Sequence, residues 1–311
     1  MNKKIKEEFV PINGINQYIL HHPSPNNSKD VVIMLHGGPG IPNSYIAYYQ
    51  QPYQNFCNFV YYDQRGAGKT RLKNKEVTSE SLSLDILLED LRQTIQYIKE
   101  EYQTQRIFLN GHSWGNVLGG EYVRKYSKDV VGFIASGVCV DMTATDRSWY
   151  QHLKKVVMES GNKRDIKKFN KVNPAYPNIS SQEYAKATSQ LSSLEFKYGY
   201  SPIDWMKIYR KSPLMNLREG MQMNSAEMFN YKILEVLHGY NIREVKEYHL
   251  PVYYLLGRQD EWTTSTVAAE YFDTFTAPKK KLYWIENAGH EADLDNPTDF
   301  FKAIEEIVTE N

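Results

Sequence analysis

The sequence predicts an α/β fold: a mostly parallel central sheet with helices on both faces, interrupted by a mostly helical insertion. Three observations predict it. Short, wholly apolar runs alternate with amphipathic helical patterns over the first 140 residues. Those runs are hydrophobic on both faces, as strands of a covered parallel sheet must be. The rhythm stops at about residue 141 and resumes at about 249. Residues 1–140 and 249–311 then form one core, and residues 141–248 are inserted into it.

Each element has its own signal. Phe9-Val10-Pro11 and Tyr18-Ile19-Leu20 flank Asn13-Gly14, a pair suited to the φ > 0 turn of a hairpin, placed at about 5–22. Val31-Val32-Ile33-Met34-Leu35 is a buried strand ended by His36-Gly37-Gly38-Pro39-Gly40. Phe59-Val60-Tyr61-Tyr62 is a second, ended by Asp63-Gln64-Arg65-Gly66. Leu84, Leu87, Leu88, Leu91, Ile95, Ile98 and Tyr102 then make one apolar helical stripe. Asp85, Glu89 and Asp90 sit near its start, where the helix dipole favours negative charge. Ile107-Phe108-Leu109 reads as a strand leading into a helix that ends near Tyr126, and Val130-Val131-Gly132-Phe133-Ile134 as the next strand. The insertion is polar and punctuated by Pro174, Pro177, Pro202 and Pro213. Strands return at Val252-Tyr253-Tyr254-Leu255-Leu256 and Lys281-Leu282-Tyr283-Trp284-Ile285, and a last helix covers about 297–308.

Composition narrows the function. The chain has 311 residues, with 37 Lys+Arg against 37 Asp+Glu. No basic excess favours nucleic acid or an anionic membrane as partner. Within residues 141–250 the balance is 17 basic to 12 acidic, so the core carries the compensating acidic excess. Mean hydropathy is −0.59, and no run of about 18 apolar residues reads as a transmembrane helix. Charges at Lys3, Lys4, Lys6, Glu7 and Glu8 stand where a secretory signal needs an apolar stretch. Cys57 and Cys139 fall in apolar, strand-like stretches and read as buried thiols of a reducing compartment. The expected location is the cytoplasm.

The chemistry is concentrated at strand ends. Gly111-His112-Ser113-Trp114-Gly115 is G-x-S-x-G between a strand and a helix. A turn that sharp strains the serine and leaves no room for side chains at its flanks. It presents the hydroxyl at a helix N-terminus, where free N–H groups face developing negative charge. Ser113 is therefore the expected nucleophile. A serine needs a base. The order Ser, acid, His selects Asp260, ending one late strand, and His290, ending the last. Glu261 is the competing acid. His290 takes the serine proton and returns it to the leaving group, and Asp260 orients His290. The loop His36, Gly37, Gly38, Pro39 and Gly40 offers bare amides that, with the N–H of Trp114, suit an oxyanion hole. Pro39 is expected to hold Gly38 in an extended conformation.

Other motifs are set aside on physical grounds. Gly66-Ala67-Gly68-Lys69-Thr70 imitates the end of a phosphate loop, but Asp63 stands where the loop's first glycine belongs and would repel phosphate. Asp63 and Arg65 are instead expected to brace loops around the site. His290-Glu291 lacks a second histidine at metal-ligand spacing, so no metal is expected. Lys163-Arg164-Asp165-Ile166-Lys167-Lys168 reads as a solvated face.

Taken together, His36-Gly37-Gly38-Pro39-Gly40, Asp63-Gln64-Arg65-Gly66-x-Gly68 and Gly111-His112-Ser113-Trp114-Gly115 resemble the proline iminopeptidase family of α/β-hydrolases. The resemblance extends to Gly257-x-x-Asp260 and Gly289-His290. It implies the α/β-hydrolase fold, a helical cap from residues 141–248, a Ser113–Asp260–His290 triad, an oxyanion hole from the Gly38 and Trp114 amides, and no cofactor. That family carries a Trp-x-x-Trp-Glu pattern whose glutamate holds the substrate's amino terminus. Here the nearest pattern, Trp205-x-x-x-Tyr209, lacks the glutamate.

The leading expectation is a serine hydrolase that forms an acyl-enzyme and releases an N-terminal residue from small peptides. The same chemistry would serve an esterase or amidase for small neutral acyl compounds. A non-catalytic ligand-binding module on this scaffold would show a damaged triad, and all three residues are present. An aminopeptidase must pair the substrate ammonium with a carboxylate. Glu195, Glu227 and Glu235, each between apolar neighbours in the insertion, are the candidates.

Overall fold

Asn13 and Gly14, at φ 46° and 77°, fold β1 (Lys6–Ile12) back onto β2 (Ile15–His22) in an antiparallel pair. The computed structural model that carries this hairpin describes residues 5–223 and 225–311. Met1 to Lys4, part of the charged N-terminal stretch, lie outside the described residues. The remaining strands are β3 (Val31–Leu35), β4 (Asn58–Tyr62), β5 (Ile107–His112), β6 (Gly132–Ser136), β7 (Val252–Gly257) and β8 (Lys280–Ile285). They form one sheet in the order β1-β2-β4-β3-β5-β6-β7-β8. β2 joins β4 antiparallel, and every pairing from β4 through β8 is parallel. This is a mostly parallel α/β sheet with helices on both sides.

The helix Leu84–Tyr102 shows how the stripe becomes packing. Ser83 accepts from the Ile86 amide at its start, and Gln103 ends it in the left-handed region. Leu87, Leu88, Leu91, Ile95 and Ile98 are buried in the cluster on one face of the sheet. Each such side chain contributes about 1.5–3 kcal/mol. Asp90 does not serve the helix dipole from the surface. It is buried and paired in two-pronged fashion with Arg65, both contacts at 2.8 Å. A second cluster, with Phe59, Phe108, Phe300 and Phe301, covers the other face.

Two differences from the sequence expectations are local. β6 starts two residues after Val130, because Gly132 is the first residue to pair with Phe108 and the register runs on to Ser136 opposite His112. Cys57 and Cys139 are buried and unpaired, but lie just outside β4 and β6 rather than within strands.

Among the described residues, seven helices lie between β6 and β7, from Met142–Glu159 to Tyr231–Leu237. Their entry and exit are stitched together: Met142 N–H donates to Tyr240 O and Ile242 N–H to Val140 O, both at 2.9 Å. Contacts with the sheet's loops hold the segment over the strand ends. Tyr48 Oη donates to Ile208 O at 2.8 Å, and Asn230 Nδ2 to Gly66 O at 3.1 Å.

Candidate active site

Ser113 sits between β5 and the helix Trp114–Lys125 at φ 53° and ψ −119°. A non-glycine residue there is strained, and the neighbouring glycines explain how the turn closes. A Cβ on Gly111 would lie 2.5 Å from Gly115 O, and one on Gly115 would lie 2.1 Å from Leu35 O. The Ser113 amide is tied to Ser136 O at 3.0 Å.

Asp260 follows β7 and His290 follows β8. The structure brings them together, with His290 Nδ1 3.0 Å from Asp260 Oδ2. The carboxylate is buried and well supplied with donors. Its Oδ1 accepts from the amides of Trp262 at 2.9 Å and Thr263 at 3.0 Å, and its Oδ2 from Thr263 Oγ1 at 2.7 Å. Burial alone would raise its pKa, but His290 and the Thr263 donors outweigh that and hold it below the usual value. Glu261 is exposed and its side chain is not turned to His290 by any hydrogen bond among the described residues.

Gly38 takes φ 105°, not the extended conformation expected beside Pro39. Only glycine fits, because a Cβ there would meet the amides of Gly40 and Ile41 at 2.8 Å. His36 is buried and neutral: burial drops its pKa to about 4. Its Nδ1 donates to Gly37 O at 2.9 Å, which leaves Nε2 to accept from the Gln64 amide at 3.1 Å. The Gln64 side chain completes the brace. Nε2 donates to His36 O and Oε1 accepts from Trp114 Nε1, both at 2.9 Å. Gln64 thus joins the loop of Gly38 to the helix of Trp114. Sequence reasoning assigned bracing to Asp63 and Arg65 and missed Gln64. Arg65 faces Asp90 and Asn13 instead. Asp63 does brace two segments, as expected: its Oδ1 accepts from Ser44 Oγ at 2.6 Å and its Oδ2 from the Lys69 amide at 2.7 Å, so a carboxylate fills the place a phosphate would need.

A cavity of about 40 Å³ is lined by Gly37, Gly38, Ser113 and His290 below and by Phe196, Trp205, Tyr209 and Glu227 from the insertion. As the first residue of its helix, Trp114 has an amide with no intrahelical acceptor. Glu227 is a carboxyl whose burial pushes its pKa up to about 7, against hydroxyls of Ser189 and Ser192 that favour its charge. Glu195 does not line this cavity. It lines an adjoining one of about 330 Å³ that also includes His290 and Trp262. Glu235 is brought to neither cavity and pairs with Lys232 at 3.1 Å.

The structure adds a charged group the sequence did not suggest. His112, from β5, sits with its ring centroid 4.8 Å from that of His290, and its Nε2 lies 3.5 Å from Glu291 Oε2. Burial works against the His112 cation, but Glu291, with Asp293 and Asp260, raises its pKa to about 9. Burial likewise opposes the Glu291 charge, and His112 holds it below the ordinary value. His112, His290 and Glu291 place ligand atoms within 4.8 Å of one another. They make a poor metal site, since a ligating histidine must be neutral and the charge of Glu291 favours the protonated form of His112.

Comparison with known proteins agrees with this architecture. Residues 26–296 match the model of the serine aminopeptidase family S33. The probable aminopeptidase YbaC of Bacillus subtilis is 20% identical over 307 residues, spanning 96% of this chain and 92% of that protein. The proline iminopeptidase of Heyndrickxia coagulans is 24% identical over 305 residues, with 96% of each covered. The crystal structure of a proline iminopeptidase-related protein from Thermus thermophilus superposes with a TM-score of 0.69 at 18% identity, covering 99% of this chain and 98% of that one. With its family match running through six of the eight strands and the inserted helices, the chain belongs to the S33 serine aminopeptidase family and is a hydrolase of the proline iminopeptidase-like α/β type.

Proposed function

We propose that the protein is an aminopeptidase that removes the N-terminal residue from small peptides through an acyl-enzyme on Ser113. The observation that carries this reading is a carboxyl in the cavity of the expected nucleophile: Glu227 lines the same space as Ser113, Gly38 and His290. Residues 141–248 act as the cap that supplies it. An ammonium enclosed there needs a carboxylate partner; of the core carboxyls nearby, Asp260 is held by His290, Glu291 faces His112 and Asp293 accepts from Gln50, which leaves Glu227 as the cap carboxyl in this cavity.

Ser113 Oγ attacks the carbonyl carbon of the first residue while His290 Nε2 takes its proton. The carbonyl oxygen gains the charge and meets the amides of Gly38 and Trp114. The C–N bond breaks, and His290 gives the proton to the leaving nitrogen. Water then attacks the ester by the same route in reverse. No cofactor enters the scheme. Buried, unpaired Cys57 and Cys139 suit a reducing compartment such as the cytoplasm, and no helix among the described residues is long and apolar enough to cross a membrane.

The test compares a prolyl or alanyl anilide with its N-acetylated form and a neutral aryl ester. The reading expects the free anilide to be cleaved and the blocked one to fail. Equal hydrolysis of both anilides overturns the amine anchor and leaves an esterase or amidase. A fluorophosphonate probe should label Ser113, and labelling that survives in Ser113→Ala would remove the nucleophile assignment.

A further inference from the structure

His112 and Glu291 are chain neighbours of the expected nucleophile and base. His112 ends β5 just before Ser113, and Glu291 follows His290 after β8. β6 and β7 separate those strands in the sheet, yet the two side chains meet, with His112 Nε2 3.5 Å from Glu291 Oε2. The other ring nitrogen, Nδ1, lies 3.3 Å from Ser136 Oγ, so each N–H of an imidazolium faces an oxygen. Glycines let the chain close around this ring. A Cβ on Gly37 would lie 3.3 Å from His112 Cδ2. One on Gly137, at φ 54°, would lie 3.1 Å from His112 Cε1 and 2.8 Å from His290 Cε1. Both imidazoles thus pack on one residue, with ring centroids 4.8 Å apart.

The charges around His290 show what the contact does. Asp260 meets its Nδ1 at 3.0 Å and serves as the orienting carboxylate. Glu291 is a second carboxylate beside the ring: His112, His290 and Glu291 place one side-chain atom each within 4.8 Å of one another. Glu195 and Glu227 share cavities with His290 from the cap side, and Asp293 lies close enough to act on His112 and Glu291. An anion as near as Glu291 favours a protonated ring, and a protonated His290 cannot take the proton of Ser113. His112 supplies the opposing charge. Burial works against its cation, but Glu291, with Asp293 and Asp260, lifts its pKa to about 9.

We infer that His112 and Glu291 are a positioning pair for the proposed base: their contact fastens the Ser113 elbow to the His290 loop, and His112 cancels the Glu291 charge that would hold a proton on His290. This rests on the Ser113–His290 chemistry proposed above and holds whichever acyl group is cleaved.

The test is the pH dependence of Ser113 labelling by a fluorophosphonate, which needs the base but no particular substrate. His112→Gln leaves Glu291 without its cation, so the acidic limb of the labelling rate should move up by about one to three pH units. Glu291→Gln should not move it up. The double variant, with neither charge, should bring the limb back close to the wild-type position. A purely structural pair would lower the plateau rate in all three variants and leave the limb in place, and that result overturns the inference. Should His112→Gln fail to fold, NMR of the wild type labelled with ¹⁵N-histidine decides. His112 should carry both ring protons at about pH 7.5, and a neutral His112 overturns the inference. No labelling of Ser113 in the wild type overturns the nucleophile and base assignments along with it.

Discussion

Trp262 holds the two ends of the Asp260–His290 pair at once. Its amide donates to Asp260 Oδ1 at 2.9 Å, while its indole lies 4.7 Å from the His290 ring. One residue thus fixes the proposed acid and walls the proposed base on one side. The adjacent position decides the competition between acids. Asp260→Asn keeps the shape but removes the charge that fixes the imidazole tautomer, and should lower kcat about 10⁴-fold. Glu261→Gln, at an exposed side chain, should change kcat by less than about twofold. Steady-state rates on an alanyl anilide check both, and a reversal of the two costs would transfer the acid's role to Glu261.

Gln64 ties the loop of Gly38, the proposed oxyanion loop, to the helix of Trp114 through both atoms of its amide. Gln64→Ala would leave Trp114 Nε1 and His36 O without partners in a buried place, at about 1–3 kcal/mol each at most. The expected result is a lower melting temperature together with about a tenfold fall in kcat and little change in KM, since the loop's amides matter most when the oxyanion forms. A drop in melting temperature with kcat unchanged would limit Gln64 to a structural part.

How far the sequence reveals this molecule depends on how local each signal is. The hairpin follows from Asn13-Gly14, and the elbow from glycines that closely approach backbone, so neighbouring residues suffice. Asp260 and His290 meet because chain order and strand ends put them at one edge of the sheet. Gln64 was illegible: its partners are His36, in the loop after β3, and Trp114, at the start of a helix, and nothing near residue 64 names them. The same holds for His112 and Glu291. Among the cap glutamates, apolar neighbours look alike at Glu195, Glu227 and Glu235. Which helix face turns inward is set by packing between helices, which left Glu235 with Lys232. The helix Ser265–Phe272, also unread in the sequence, is two turns long and carries too short a stripe to stand out.

Asp146, on the first helix of the insertion, gives a stability signature. It is buried and accepts from Tyr184 Oη at 2.7 Å, with no cation paired to it among the described residues. Burial raises its pKa to about 7, against hydrogen bonds from Tyr184 and Tyr176. The folded protein therefore holds a proton that the unfolded chain, with a carboxyl pKa near about 3.9, gives up. Its favourable contribution is complete below about pH 4 and is lost as pH rises to about 7. Asp146→Asn keeps an acceptor for Tyr184 and cannot titrate. Thermal melts of both proteins from pH 4 to 8 should show the variant gaining on the wild type as pH rises. A constant difference would mean that Asp146 is ionised in the folded state throughout.

The proposed amine anchor has a pH signature of its own. Burial lifts the Glu227 pKa to about 7, so the free enzyme gains the anchoring charge as pH passes that value. A peptide's α-amino group has a pKa of about 7.7–8.0 and loses its charge just above. For a free-amine substrate, kcat/KM should rise through about pH 7 and fall again near pH 8. A neutral aryl ester shares Ser113 and His290 but has no ammonium, so its profile should lack the fall near 8. Glu227→Gln should raise KM for the alanyl anilide by about 30-fold or more, the cost of leaving a buried ammonium unpaired. It should alter the ester far less. Glu235→Gln, whose carboxylate faces Lys232, should leave the anilide KM as it was. If Glu227→Gln slows anilide and ester equally, the carboxyl supports the cavity's shape rather than the substrate's charge, and Glu195 becomes the remaining cap carboxylate able to meet the amine.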